Sequence, residues 1–380
     1  MLSFQLSAEQ QALKEIAARF VREQVIPRAA HHDVTGEFPL DLARQAFEIG
    51  LVNITIPEEY GGGGLGCVEE AIVTEELSYG CAGIAISMTV NNLASVPVKL
   101  AGNESVKRRY LGQLTSEYAN ASYCLSEPNA GSDVAGLETR AVRRGDKYVL
   151  NGTKAWVSGG AYARWFVVFA YTDRAAGRKG MSVFVVPADS PGIQVGKKED
   201  MMGQRASNTV FITFDDVEVP ADHLLGVEGD GFRIAMMTFD RTRPGVAAAA
   251  VGLSQRALDE SLRYAKERQA FGSRIADFQA VQFMLADMQK DVLAARLLTW
   301  HAAWLIDHDQ RNTLHCSAAK LFGGDAAMRI ATDAVQIFGG YGYSKEYPVE
   351  KLMRDAKVLQ IYEGTNQIQR LIIARQMLAD

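Results

Sequence analysis

One carboxylate near the C-terminus stands in a setting where it could do chemistry. Glu363 lies in the stretch Leu359-Gln-Ile-Tyr-Glu-Gly-Thr-Asn-Gln-Ile-Gln-Arg-Leu-Ile-Ile373, between Tyr362 and Gly364, on a turn that opens a helix. Gly364 permits backbone angles and a close ligand approach that other residues resist. Thr365 or Asn366 can cap the helix. Ile368, Leu371, Ile372 and Leu378 then recur at helical spacing, which predicts that one helix face is buried. A carboxylate at such a place can serve as a base, or it can simply rest in the favourable field of a helix N-terminus. Position alone does not choose between the two.

Two further stretches carry groups suited to a flat polar ligand. Tyr123-Cys-Leu-Ser-Glu-Pro-Asn-Ala-Gly-Ser-Asp-Val134 offers Ser126, Ser132 and main-chain N–H groups around Gly131, although a plain Pro/Gly turn would read the same way. Lys154-Ala-Trp-Val-Ser-Gly-Gly160 sets an aromatic beside a hydroxyl and two glycines, and Trp156 can flank a heterocycle or fill a core. Arg268 has the planar fork suited to a diphosphate, or to an ion pair with Glu267 or Asp277. No metal site is expected. Cys67, Cys81, Cys124 and Cys316 are scattered and the six His lack ligand spacing, so the cysteines read as reduced packing residues of an intracellular protein. His31-His32 reads as solvated.

The elements that must position these groups fall into three parts. Ser7-Ala-Glu-Gln10 is a capping box before an apolar stripe of Leu13, Ile16, Ala17, Phe20 and Val21. Helices are predicted over Leu40–Ile49, Cys67–Gly80, Ile84–Leu100 and Ser105–Leu111, around a Gly-rich loop from Pro57 to Gly64. That loop lacks the spacing of a phosphate cradle. From Ala119 the pattern turns to β. Lys147–Val157 reads as a hairpin joined by Asn151-Gly152, followed by strands over Trp165–Tyr171, Met181–Val186 and Thr209–Phe214. Helix returns after Gly231: Pro244 is read as opening an Ala-rich run to Lys266, Leu285, Met288, Val292 and Ala295 mark a bundle helix, and Thr313–Phe338 is another. The expected organisation is mainly α with a middle β domain: an N-terminal helical domain over 1–120, an antiparallel β domain over 121–231 and a C-terminal four-helix bundle over 232–380. Lys351 and Arg354 read as solvated helix charges.

At 380 residues, with 48% apolar and 22% charged residues, the chain has a soluble globular profile and length for two or three packed units. A net charge of −5 argues against nucleic acid as the main partner. The apolar stretches are interrupted or too short for a membrane span, and the N-terminus shows no secretory signal.

Taken in order, six strings carry a resemblance to a known family: Glu127–Asp133, Trp156-Val-Ser158, Phe239-Asp-Arg-Thr-Arg-Pro244, Glu267-Arg-Gln-Ala-Phe-Gly272, Gln336-Ile-Phe-Gly-Gly340 and Ile361-Tyr-Glu-Gly-Thr365. Across essentially the whole chain the sequence resembles the acyl-CoA dehydrogenases, with the short- to medium-chain branch the nearest in pattern. The resemblance implies one FAD per subunit in a homotetramer. It assigns Tyr123, Leu125, Ser126, Gly131 and Ser132, with Trp156, Val157 and Ser158, to the flavin ring and ribityl chain. Arg268, Phe271, Phe278 and Gln279, with Gln336, Ile337, Phe338, Gly339 and Gly340, correspond to residues at the adenine and pyrophosphate end, some of which reach a neighbouring subunit's flavin in relatives. Thr365 and Gln367 close over the cofactor. Ser132, Asp240, Arg243, Tyr362 and Gly364 match substrate-side positions.

The implied reaction is α,β-dehydrogenation of an acyl-CoA thioester to the trans-2-enoyl product, as in fatty acid β-oxidation. Glu363 matches the catalytic base, taking the α-proton while the β-hydrogen leaves as hydride to flavin N5. Electrons then pass to an electron-transfer flavoprotein. Branches that carry the base on an earlier helix would place it at Thr242, which has no carboxylate. Asn129 replaces the Gly most relatives have in the first motif, and Ser158-Gly159 stands where many have Thr-Asn. Ile84 occupies the position where members acting on dicarboxylic acyl groups carry Arg, and the tunnel floor is expected from helices around Ile84–Val96. The same motifs suit an acyl oxidase, a dehydrogenase of carrier-protein-bound thioesters, or a non-catalytic acyl-CoA-binding paralogue. The implied compartment is a bacterial cytoplasm, or a mitochondrial matrix for a processed form.

Overall fold

The computed structural model describes residues 5–379. Its first part is helical: α1 (Ala8–Phe20), α2 (Ala29–Thr35), α3 (Leu40–Glu48), α4 (Cys67–Gly80), α5 (Ala82–Ala101) and α6 (Glu104–Ser116). The capping box forms as its pattern predicts, with Gln10 N donating to Ser7 Oγ at 3.2 Å and Ser7 N to Gln10 Oε1 at 3.0 Å. Helix α5 is apolar enough by length and composition to cross a membrane, yet 61% of that window is buried within the fold. It runs through the protein with Ile84, Ala85, Met88, Ala94 and Val98 in the core. All four cysteines are free and buried. His32 departs from the solvated reading: it is buried, with Nδ1 2.9 Å from the Glu37 carbonyl, because α2 continues through it to Thr35.

The middle part is one curled sheet of β1 (Asn120–Cys124), β2 (Arg140–Arg144), β3 (Lys147–Ser158), β4 (Ala163–Tyr171), β5 (Met181–Pro187), β6 (Ile193–Val195) and β7 (Thr209–Pro220). The order is β1-β4-β2-β3-β7-β6, with β5 on the other flank of β4. The sheet is mixed rather than wholly antiparallel, since β1 and β2 both run parallel to β4. The expected hairpin at Asn151-Gly152 is also corrected. The turn lies at Gly145-Asp146, where Arg144 pairs with Lys147, and β3 runs unbroken through Asn151. Asn151 instead exchanges two 2.9 Å hydrogen bonds with Asp216 across a bulge in the β3–β7 pairing. Gly152 is needed there because a Cβ would stand 2.4 Å from Thr139 Oγ1.

The last part packs α7 (Gly231–Glu267), α8 (Gln279–Asp307), α9 (Thr313–Phe338), α10 (Val349–Lys357) and α11 (Asn366–Met377), with a small hairpin of β8 (Gln269–Ala270) and β9 (Ser273–Arg274) after α7. Pro244 lies inside α7 rather than at its start. A proline removes the N–H that would bond the carbonyl four residues back. That carbonyl, Asp240 O, is taken up by Asn312 Nδ2 at 2.7 Å and by the Cys316 thiol at 3.0 Å. The helix therefore passes the proline without a stranded acceptor.

Two expectations about helix faces fail. In α11 the buried positions are Asn366 and Gln369, while Leu371 and Leu378 are 51% and 83% exposed in the single chain. Lys351 and Arg354 are not solvated. Lys351 is buried against Asp355 and Cys81, and Arg354 binds Glu350 at 2.7 Å and Asp33 at 2.7 Å. Asp355 in turn accepts the main-chain N–H of Gln204, which ties the loop before β7 to α10. Their amphipathic spacing looked like a wet face because the partner surface comes from distant parts of the chain.

Candidate active site

Glu363 is held on a strained turn. Its φ is 51° and that of Gly364 is 89°, both in the left-handed region. A Cβ on Gly364 would displace the Gln369 amide, 2.7 Å away, and the positive φ makes any other residue strained there. Thr365 is the cap of α11, accepting from Ile368 N at 3.2 Å. Four side chains then fix the turn from outside. Thr242 Oγ1 donates to Glu363 Oε2 at 2.6 Å, and Arg243 Nε to Glu363 O at 3.4 Å. Lys320 Nζ reaches Gly364 O at 2.8 Å and Asn366 Oδ1 at 3.0 Å, and Gln369 Nε2 reaches Gly364 O at 3.0 Å.

Burial pushes the Glu363 carboxyl above its ordinary value, against the pull of the Thr242 hydroxyl and the Arg243 and Lys320 charges. The same burial pulls Lys320 down to about 8. Lys320 is fully buried in α9, on the stripe that includes Cys316, Gly323, Gly324 and Ala327. Sequence reasoning missed it, though a lysine in register with that small-residue stripe was a readable signal. Arg243 is 4% exposed and bonds Asp240 Oδ1 at 3.2 Å, while Asp240 Oδ2 accepts from Thr313 at 2.6 Å. Both residues therefore brace the base turn from behind. Tyr362 is pushed up by burial with its hydroxyl near Gln204, and Gln367 is exposed.

The sheet supplies the opposite wall. Tyr123 of β1 packs against Phe169 and, edge-on at 6.0 Å, against Phe239 of α7. Its hydroxyl is buried without a hydrogen-bond partner among the described residues, and the charge of Glu363 helps raise it. Trp156 sits on the second bulge of β3 at φ 60°, 55% exposed, with Phe211 edge-on at 5.6 Å. Ser126 and Ser158 keep part of their surface, Gly131 and Ser132 lie exposed on the loop after β1, and Leu125 and Val157 turn their side chains into the core. Glu127, which opens the loop, has a role the sequence did not reveal. It forms a buried ion pair with Lys154 at 2.7 Å and accepts from Thr139 Oγ1 at 2.6 Å and Thr139 N at 3.0 Å, so the loop is pinned to β3.

The remaining expected cofactor residues lie elsewhere. Arg268 stacks over Tyr341 at 5.4 Å, Phe271 is 98% exposed at the tip of the β8–β9 hairpin, and Phe278 and Gln279 open α8. Gln336, Gly339 and Gly340 are exposed at the end of α9, whereas Ile337 and Phe338 are core, Phe338 stacking on Tyr264 at 4.0 Å. This group sits at the far end of α7 from Thr242, a helical span of roughly 38 Å at 1.5 Å per residue.

Comparison with known proteins covers nearly the whole chain. Three family models match in order: the acyl-CoA dehydrogenase N-terminal domain over residues 7–118, the middle domain over 122–217 and the C-terminal domain over 229–378. The chain is 48% identical over 99% of its length to a probable medium-chain specific acyl-CoA dehydrogenase of Caenorhabditis briggsae, covering 92% of that protein. Among solved structures it resembles a chain from a study of the electron transferring flavoprotein of Acidaminococcus fermentans and flavin-based electron bifurcation, with TM-score 0.98, 43% identity and all of both chains covered. It also resembles the butyryl-CoA dehydrogenase of Megasphaera elsdenii, with TM-score 0.97, 39% identity and 99% and 100% of the two chains covered.

Proposed function

Since the chain belongs to the acyl-CoA dehydrogenase family of FAD-dependent oxidoreductases, we propose that it dehydrogenates a saturated acyl-CoA to the trans-2-enoyl thioester with Glu363 as the base. The observation that carries the reading is the Glu363 turn: a desolvated carboxylate on a strained, left-handed backbone that hydrogen bonds from Thr242, Arg243, Lys320 and Gln369 hold in place. Such strain persists where the surroundings over-determine it.

Glu363 takes the α-proton. Its raised affinity for a proton matches it to that task, and Thr242 keeps the acceptor oxygen oriented without supplying a second base. No described residue accepts the main-chain N–H of Glu363, which leaves that donor for the thioester carbonyl, where it would favour the enolate-like charge. Arg243 and Lys320 hold the turn and moderate the carboxylate. FAD, when bound, supplies the acceptor for the hydride that leaves the β-carbon.

The residues present fit that cofactor. The orphaned Tyr123 hydroxyl, the outward-held Trp156 and the pinned loop through Gly131 and Ser132 would line its flavin half, with Leu125, Ser126, Val157 and Ser158 adding main chain and Thr365 and Gln367 the rim. Arg268, Phe271, Phe278, Gln279 and Gln336–Gly340 would serve a neighbouring subunit's cofactor. The 98% exposure of Phe271 and the uncovered apolar side chains of α8 and α11 support a homotetramer of this kind. Ser132 and Asp240 would border the CoA arm. Electrons would pass to an electron-transfer flavoprotein, in a bacterial cytoplasm or a mitochondrial matrix.

The test is the visible spectrum of the purified protein during anaerobic titration with short- and medium-chain acyl-CoAs. Flavin absorbance that bleaches on addition supports the reading. Bleaching only by carrier-protein thioesters would replace the CoA substrate, and absence of flavin would remove the function.

A further inference from the structure

Beyond the base turn lies a pair of unlike charges that the dehydrogenation does not use. Glu70 of α4 and Lys99 of α5 are surrounded by protein, yet neither is fully covered, and Thr55 and Asn92 beside them also keep some accessible surface. Buried groups that keep some accessible surface border a hollow rather than solid packing. Lys99 Nζ donates to Thr55 O at 3.3 Å and to Thr55 Oγ1 at 3.1 Å. Glu70 points toward α7, where a Cβ on Gly245 would lie 3.5 Å from its Oε1. Gly245 is three residues past Thr242 and so on the same helix face, roughly 4.5 Å further along the axis. The hollow thus continues from the carboxylate that Thr242 holds. The two acids sense each other: burial raises Glu70 to about 6, with Glu363 adding to the rise, and burial lowers Lys99.

We propose that this hollow receives the far end of the acyl group, and that Glu70 and Lys99 select a short acyl chain ending in an uncharged hydrogen-bonding group such as a hydroxyl. The proposal rests on the acyl-thioester reading of the Glu363 site. A bare alkyl end would strip water from both ions and return no bond, which is costly for charged groups. A carboxylate or ammonium end would leave a net charge enclosed beside a pair that is already balanced. A hydroxyl donates to the Glu70 carboxylate, which Asn92 and Thr55 also hydrogen-bond, and accepts from the Lys99 ammonium, so it adds one bond to each ion.

Binding measured without turnover separates the alternatives. Glu363→Gln holoenzyme is titrated calorimetrically with valeryl-CoA, ω-hydroxyvaleryl-CoA, glutaryl-CoA and ω-aminovaleryl-CoA. The hydroxyl ligand should bind about ten-fold more tightly than valeryl-CoA, the size expected of one well-made hydrogen bond. Lys99→Met with Glu70→Leu should remove or reverse that preference while flavin content is kept, and if this double variant does not fold the four-ligand comparison decides alone. Equal or tighter binding of valeryl-CoA overturns the proposal, as does a clear preference for either charged end. If none of the four binds while flavin is retained, the acyl-CoA reading itself falls and takes the subsite with it.

Discussion

Thr242 Oγ1 stands 2.6 Å from Glu363 Oε2 and donates to it from the N-terminal third of α7, 121 residues away in sequence. A hydrogen bond to the ionised form lowers a carboxyl's proton affinity. Thr242→Val should therefore raise the Glu363 value further. The base must be ionised to act, so the acidic limb of the kcat/KM profile should move to higher pH by about one unit, the shift that a bond of about 1.4 kcal/mol produces. A limb that stays in place or moves to lower pH would show that this hydroxyl does not tune the base.

Glu363→Gln keeps the shape of the side chain and removes its proton acceptor. Turnover should drop by about 10²–10⁴-fold, the contribution of a positioned general base. Flavin content and acyl-CoA binding should be retained. Near-native turnover in a flavin-replete variant would move the base elsewhere.

Lys320 acts on the base through the turn. Lys320→Met removes both its charge and its bonds to Gly364 O and Asn366 Oδ1, while Lys320→Gln keeps a donor and loses only the charge. Both variants should shift the acidic limb upward, because a nearby cation favours the carboxylate. The Met variant alone should also lose kcat, as the turn relaxes from its left-handed backbone. Native enzyme should show a second step near pH 8, where Lys320 itself gives up its proton, and neither variant should retain it. Identical pH profiles in all three proteins would reduce Lys320 to packing.

The division between what could be read in the chain and what could not follows the range of the interactions. The Ser7 cap, the ends of α4 and α9 and the three-part organisation are local or periodic, and they appear as expected. Asn151-Gly152 was misread because a turn dipeptide and a bulge share the same residues, and only Asp216 across the sheet separates them. Pro244 was misread because the partners of Asp240 O lie on the loop and helix some 70 residues later, at Asn312 and Cys316. The turn at Glu363 and its Thr365 cap were legible because their signals are local. Lys320, Thr242 and the Glu127–Lys154 pair were not, since each derives its role from a distant partner.

The Glu127–Lys154 pair bears on stability. Lys154→Met leaves the carboxylate 6% exposed without its counter-charge, which should cost about 3–5 kcal/mol in urea unfolding. Glu127 is held below its ordinary value, chiefly through Lys154 against the opposing effect of burial. A carboxyl lowered in the folded state stabilises above its unfolded value and loses that contribution as pH falls through the folded one. The gap between native and variant should accordingly narrow in acid. A loss under about 1 kcal/mol at neutral pH would mean that the pair is solvated.

The distance between Glu363 and Arg268 permits a test of shared sites. Thr242, which holds Glu363, is separated from the C-terminal end of α7 by roughly 38 Å of helix, so the two residues would serve different copies of the cofactor. Glu363→Gln lacks the base but keeps Arg268. Arg268→Glu keeps the base but places a negative charge where a diphosphate would lie. Each homo-oligomer alone should be nearly inactive, the second through loss of FAD. In an assembly of both chains, the intact Glu363 of one subunit meets a cofactor held by the intact Arg268 of its neighbour. Co-expression or refolding of the mixture should therefore restore activity and flavin content in a measurable share of sites. If mixed oligomers form, as tagged copies purified in tandem would show, and activity does not return, each subunit holds its cofactor with its own residues alone.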